Sequence, residues 1–234
     1  MKAESFGITF AYTALLLITT LGVAFVFKSA VSQSTMRNKL FPIIFLILVW
    51  IVDSILSLKG VFLDTIKSTP PVFFPTVLAT ILLAVYFALK YEPLTHFKEE
   101  NMKYAVALQT FRLPLELIFV WALHLGMIPQ QMTFEGLNYD VLVGLTAPFI
   151  AYFGYHKRVL PKWALVAWNV GGLILLANIV TVAILSAPTN FQVFTNEPHN
   201  TIVLEFPYIF IPFFLVPLAL FGHLFALRKL LAKY

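Results

Sequence analysis

Residues 109–121 read QTFRLPLELIFVW, which sets Gln109, Arg112 and Glu116 inside an otherwise apolar run. Charged groups in such a run are costly, and where they persist they mark ligand or ion pathways and proton relays. On a helix turning about 100° per residue, Gln109, Arg112, Glu116 and His124 share a stripe about 120° wide. A single polar stripe predicts that this face looks into a helix bundle. Pro114 lies between the two charges and frees the Thr110 carbonyl, which adds another polar group to the same region.

Depth along the helix suggests partners. Entry from the cytoplasm near Tyr104 puts Arg112 about 12 Å and Glu116 about 18 Å inside. Asp53, counted from Leu40 in another apolar run, reaches about 20 Å, and Asn169 and Asn178 of a third run bracket that depth. The expectation is a buried binding or proton site built from Arg112, Glu116, Asp53, Gln109, Asn169 and Asn178. Two acids facing one arginine leave a surplus negative charge, which a low-dielectric interior disfavours, so the site would hold a proton. The same residues read equally as an ion pair that locks helix packing.

A second group lies outside the apolar runs. MTFEGLNYD (132–140) and PTNFQVFTNEPHNTIVLEF (188–206) contain no Lys or Arg. They hold Glu135, Asp140, Glu197, His199 and Glu205, with His124 near the same surface. Carboxylates with imidazole can bind a divalent cation, but the spacing matches no known site. The reading is a solvated outer rim in which Asn138 caps, and Asp140 complements the dipole of, the helix that follows. No metal or other cofactor is expected. Thr133 and Asn200 read as accessible from outside, Ser34 and Lys98 as cytoplasmic.

The elements that must position these residues follow from composition. Of 234 residues, 60% are hydrophobic and 12% charged, with a mean hydropathy of +0.87. A soluble domain carries about 25% charged residues, so the solvent is lipid. Cysteine is absent, which excludes disulfides, thiolate metal sites, iron–sulfur clusters and thiol catalysis.

Seven apolar stretches approach the roughly 20 residues that cross a bilayer core: Phe6–Phe27, Leu40–Leu58, Val72–Leu89, Tyr104–Leu125, Tyr139–Tyr155, Trp163–Ala187 and Phe206–Leu227. The fifth is short and interrupted by Gly144, Pro148 and Gly154. The first reads as a retained helix, since its apolar run exceeds that of a cleaved signal. The loops are too short for a soluble domain, so residues 1–234 are expected to form one all-α membrane domain, a seven-helix bundle.

Orientation follows from basic residues near the span ends. Lys28, Arg37, Lys39, Lys90, Lys98, Lys103, Lys157, Arg158, Lys162, Arg228, Lys229 and Lys233 fall on one side, against Lys2, Lys59 and Lys67 on the other. That asymmetry predicts the N-terminus outside and the C-terminus in the cytoplasm. The formal charge of +5 is thus a matter of topology, and the expected partners are the lipid bilayer and a small molecule or proton, with no nucleic acid.

Several activities are excluded. No span carries the lysine that a retinal protein needs. His124 and His223 are predicted near opposite faces and cannot share a haem, and His96 and His156 lie in cytoplasmic loops. No phosphate loop, zinc-protease helix or nucleophile elbow is present.

The stretches MTFEGLNYD, SAPTNFQVF and FPYIFIPFFLVPLALFGHL together resemble a group of uncharacterised bacterial multi-spanning membrane proteins, from about Arg112 onward. The resemblance implies a bacterial inner-membrane location and brings no assigned activity. Three functions fit the residues: a small-solute or proton-linked transporter or ligand-binding membrane protein, a membrane-embedded enzyme acting on a lipid or isoprenoid with Glu116 or Asp53 as its acid, and an accessory subunit whose charges hold the bundle together.

Overall fold

The computed structural model describes residues 2–30, 36–68, 71–91, 94 and 97–232; Ser34, His96 and Lys233 lie outside the described residues. The chain is all-helical there, with no strand among the described residues. The α-helices in order are α1 (Lys2–Ala30), α2 (Met36–Leu58), the single turn α3 (Val61–Asp64), α4 (Phe73–Lys90), α5 (Met102–Ala107), α6 (Arg112–His124), α7 (Val141–Phe149), α8 (Lys162–Leu185) and α9 (Val216–Leu231).

Among the described residues, five helical stretches are long and apolar enough to cross a membrane: Phe6–Lys28, Phe73–Lys90, Glu99–His124, Lys162–Leu185 and Ile211–Leu231. Counted over the described residues alone, the apolar stretches Ile47–Leu58, within α2, and Val141–His156 are shorter. The surface of the bundle carries exposed Leu17, Ile18, Leu21, Ile51, Ile55 and Ile174, while Arg112, Glu116 and His223 are buried. That is the reverse of a water-soluble protein. Hydroxyls on the apolar helices donate back to their own backbone, as Thr13 does to the Thr9 carbonyl at 2.7 Å and Thr20 to that of Leu16 at 2.7 Å, which removes a donor that lipid could not satisfy.

Prolines shape the helices that build the site. Pro114 removes the donor that would bond to Thr110, and the turn just before α6, Leu108–Phe111, is a tight 3₁₀ turn. Pro148 does the same to Gly144, and α7 passes into π turns over Ile150–His156. The seventh predicted span starts later than its apolar run: Phe206–Ile209 forms a turn, π turns cover Ile211–Leu215, and α9 continues to Leu231. Pro207 lies in the turn and Pro212 in the first turn of the helix, where a missing donor is tolerated, and Pro217 follows at the passage from π turns to α9. At the far end Arg228 donates to the carbonyls of Ala88 and Tyr91 at 3.2 and 3.3 Å and so caps α4, and Lys229 donates to the Phe97 carbonyl at 3.0 Å.

The register of the bundle is read at glycines. A side chain at Gly7 would meet Trp121, and one at Gly22 would meet Leu108, so α1 runs antiparallel along the Glu99–His124 stretch. A side chain at Gly144 would strike the backbone of Arg112 and Leu113, which brings α7 into close contact beside the middle of that stretch. The apolar core is rich in rings: Phe62 packs on Phe73 and Phe213, and Trp50 on Phe210 and Phe214.

Candidate buried charged site

Chain direction reverses after α6 through a glycine. Gly126 takes φ +66°, its N–H bonds to the Leu123 carbonyl at 2.8 Å, and the Met127 N–H bonds to that of Ala122 at 2.9 Å. This left-handed cap satisfies the last carbonyls of the helix and is open to glycine at no steric cost. The next residues do not stay at the rim. Ile128, Met132, Thr133 and Asn138 are all buried, and α7 starts only after the chain has folded back beside α6. With Gly144 against Arg112 and Leu113, the first turn of α7 lies level with Glu116, about 12 Å below the end of α6 at His124. Residues 126–140 are therefore a re-entrant segment.

That segment delivers two polar side chains to α6. Asn138 Nδ2 donates to Glu116 Oε1 at 2.6 Å and to the Met132 carbonyl at 3.0 Å, while its Oδ1 accepts from the Asp140 N–H at 3.0 Å. Asp140 Oδ1 forms an ion pair with Arg112 Nη1 at 3.2 Å. Arg112 and Glu116 are each 1% exposed, and a charge so far from water persists only beside such partners.

On its other side Arg112 meets α8 and α9. Its Nη1 lies 3.3 Å from His223 Nε2, and His223 Nδ1 lies 3.0 Å from Asn169 Oδ1. Asn169 Nδ2 donates to the Leu165 carbonyl at 2.8 Å, and the Trp168 ring packs on that of His223. Gly172 makes the room: a Cβ there would collide with the imidazole. Gln109 donates to the Ala219 carbonyl at 3.2 Å, and Gly222 leaves the space its amide occupies.

The result is a polar chain through the bundle, from Asn138 and Glu116 through Asp140, Arg112 and His223 to Asn169. It is not fully paired. Arg112 Nε and Nη2, Glu116 Oε2 and Gln109 Oε1 are buried and have no hydrogen-bond partner among the described residues, and Asp140 Oδ1 has only its ion-pair contact with Arg112. Chemically the site presents the N–H groups of Arg112 Nε and Nη2 beside a buried carboxyl oxygen of Glu116.

Of the residues expected here, Gln109, Arg112, Glu116 and Asn169 come together. Asp53 does not join them; it lines a groove between α2 and α4. Depth alone matched it to Glu116, but its neighbours are Thr76, Thr80 and Phe213. Asn178 is half-buried and holds the re-entrant segment instead, donating to the Leu137 carbonyl at 2.6 Å. Among the residues expected at the rim, Asp140 is in the core. His124, Glu135 and Glu205 are exposed, and His199 pairs with Glu197 at 3.1 Å and with Gln192 at 3.0 Å. No group of three or more His, Cys, Asp or Glu side chains among the described residues could hold a metal ion. Thr133 and Asn200, expected to be accessible, are buried.

Sequence reasoning placed Asn138 and Asp140 at the outer rim and His223 near a membrane face; all three belong to the buried chain. His223 carried a usable signal, because it stands alone as an ionisable group in the run Ile211–Leu227 and therefore belongs inside.

No curated protein matches this sequence, and no solved structure matches it. Residues 70–231 match the family described as Domain of unknown function (DUF8737). That range begins well before Arg112, holds every member of the buried polar chain and leaves Asp53 outside. With more than half its length matched, the chain belongs to the DUF8737 family.

Proposed function

We propose that this chain is a seven-span protein of a bacterial inner membrane that moves a proton, or a small solute together with one, through the Arg112 site. Its amino terminus faces outside and its carboxy terminus the cytoplasm. The twelve-to-three distribution of basic residues supports that orientation, as does the meeting of Arg228 and Lys229 with the chain around Tyr91 and Phe97 at one end of the bundle.

The observation that carries the transport reading is the incomplete pairing of a sealed site. Buried charges that only lock packing are expected to be fully paired, whereas Arg112 Nε and Nη2 and Glu116 Oε2 have no hydrogen-bond partner among the described residues. An enzyme acting on a lipid through Glu116 needs that acid open to the bilayer, and Glu116 is 1% exposed. Charge balance favours a proton: Asp140 and Glu116 oppose a single guanidinium, and the open seat is Glu116 Oε2. The re-entrant segment covers the site and is the element that would move to expose it.

Purified protein in liposomes under an imposed pH gradient tests this reading, with an interior pH dye as readout. Wild type should dissipate the gradient at least ten-fold faster than protein-free vesicles, and Glu116→Gln should lose the effect. Equal rates for wild type, Glu116→Gln and empty vesicles, together with an infrared spectrum lacking any protonated carboxyl band, would return the cluster to a structural role.

A further inference from the structure

The turn that leads from the π turns after α7 into α8, residues 156–163, reads HKRVLPKW. Lys157, Arg158 and Lys162 are exposed in it, and so are two apolar neighbours, Val159 by 66% and Trp163 by 73%. Two backbone bonds hold its shape. The Lys157 N–H donates to the Tyr152 carbonyl at 2.8 Å, and the Val159 N–H to that of Phe153 at 3.0 Å. Arg158 stands between them at φ +55° and is the one non-glycine residue with a positive φ among the described residues. A left-handed residue at a helix end is commonly glycine, and a side chain there is strained. The guanidinium is thus presented from a position where glycine would sit more easily.

The positive charge of this turn is only partly offset. Residues 141–187 contain no Asp or Glu, and the acids that approach come from the turn before α5. Glu99 Oε2 lies 3.9 Å from Arg158 Nη2, and Glu100 Oε1 lies 3.7 Å from Lys98 Nζ. All four side chains are more than half exposed, and exposed pairs at such distances contribute little. Together the two turns hold five basic side chains, Lys98, Lys103, Lys157, Arg158 and Lys162, against these two acids. Lys157 Nζ stands over the Tyr152 ring, 5.7 Å from its centre, which steadies it at the same edge.

The surroundings follow from where the turn lies. Lys162 opens a stretch long and apolar enough to cross a membrane, Lys162–Leu185, so the three bases stand at the end of a span, level with lipid headgroups. An exposed indole beside them suits that boundary.

We propose that this turn binds the phosphate of an anionic phospholipid of the surrounding bilayer, with Arg158 as its main donor, Lys157 and Lys162 beside it, and the lipid chains against Trp163. The guanidinium fork matches two phosphate oxygens, while the ammonium groups add charge without direction. A zwitterionic lipid carries its own cation, whereas a net negative headgroup is drawn to clustered Lys and Arg at the membrane surface. The site is separate from the Arg112 cluster, and its failure would leave the transport reading untouched.

The test titrates the full chain in detergent with phosphatidylglycerol or phosphatidylcholine of identical chains, read by native mass spectrometry. Phosphatidylglycerol should bind at least ten-fold more tightly. Arg158→Gly removes the guanidinium and relieves the left-handed backbone, so it should lose at least ten-fold in phosphatidylglycerol affinity yet unfold at a higher temperature than wild type in phosphatidylcholine. Lys98→Gln removes the same charge from the neighbouring turn and should keep most of the affinity.

Equal binding of the two lipids, or unchanged phosphatidylglycerol affinity in Arg158→Gly, overturns the assignment. So does an equal loss in Lys98→Gln, which would mark diffuse attraction to the whole basic face. A less stable Arg158→Gly would show that the arginine holds the turn itself, and inorganic phosphate displacing the lipid at equal concentration would overturn the site in favour of a soluble anion.

Discussion

Arg112 donates through Nη1 to His223 Nε2 at 3.3 Å, and this contact fixes the state of the imidazole. A guanidinium has only donors, so Nε2 must accept and the ring proton must sit on Nδ1, where it is donated to Asn169 Oδ1 at 3.0 Å. Nitrogen NMR of histidine-labelled protein should find one ring in the Nδ1–H tautomer, and Arg112→Leu should change it. A ring protonated on Nε2 would contradict the arrangement.

The fit between Gly172 and that ring is steric. A Cβ at position 172 overlaps the His223 ring, so Gly172→Ala should destabilise the protein by about 1–3 kcal/mol, the usual cost of overpacking. In a His223→Ala background the same change should cost little. Thermal unfolding of the four proteins in one detergent measures the coupling, and simple additivity would mean that the two residues do not meet.

Removing Arg112 strands the Asp140 carboxylate. Arg112→Leu should cost about 3–5 kcal/mol, as expected when one partner of a buried pair is lost. Asp140→Asn in addition should restore at least half of that, because it removes the charge left bare. Glu116→Gln alone should unfold near the wild-type temperature, since its amide oxygen still accepts from Asn138. A Glu116→Gln protein as unstable as Arg112→Leu would show that the Glu116 charge itself holds the fold.

Asn138 pins the re-entrant segment to α6 through Glu116 Oε1. On the cysteine-free chain, Glu135→Cys should react with an impermeant thiol reagent in intact cells, and Lys98→Cys should not. Thr133→Cys, at a fully buried position, should react slowly, and at least ten-fold faster when Asn138→Ala is added. Labelling of Lys98→Cys in intact cells would reverse the orientation, and fast labelling of Thr133→Cys alone would remove the re-entrant segment.

Much of this arrangement is legible without coordinates. Charges in an apolar run must be buried together, which is why Gln109, Arg112 and Glu116 could be grouped from their spacing alone. Depth reckoning fails where a loop does not stay outside: Asp140 follows a polar connection that counts as rim unless Gly144 is seen against Arg112. It also depends on where a helix ends. With α9 stopping at Leu227, His223 looks like a boundary residue; carried to Leu231, the helix places it eight residues, about 12 Å, inside. Asp53 shows the remaining gap, because depth says nothing about the direction a helix faces.

The stretch Val141–His156 joins nine α-helical residues to seven in π turns, too few to be recognised as a span by length. A segment so short gains little by partitioning from the secretion channel into lipid alone, and the re-entrant residues before it would enter hydrocarbon unpaired. On the proposed seven-span topology, insertion of this part of the chain waits for α6: only once Arg112 and Glu116 are in place do Asp140 and Asn138 have a destination. The order of synthesis supplies this timing, since α6 leaves the ribosome first. A truncated nascent chain ending after His156 should therefore stay near the channel when Arg112 is replaced by leucine, and move away from it when Arg112 is present.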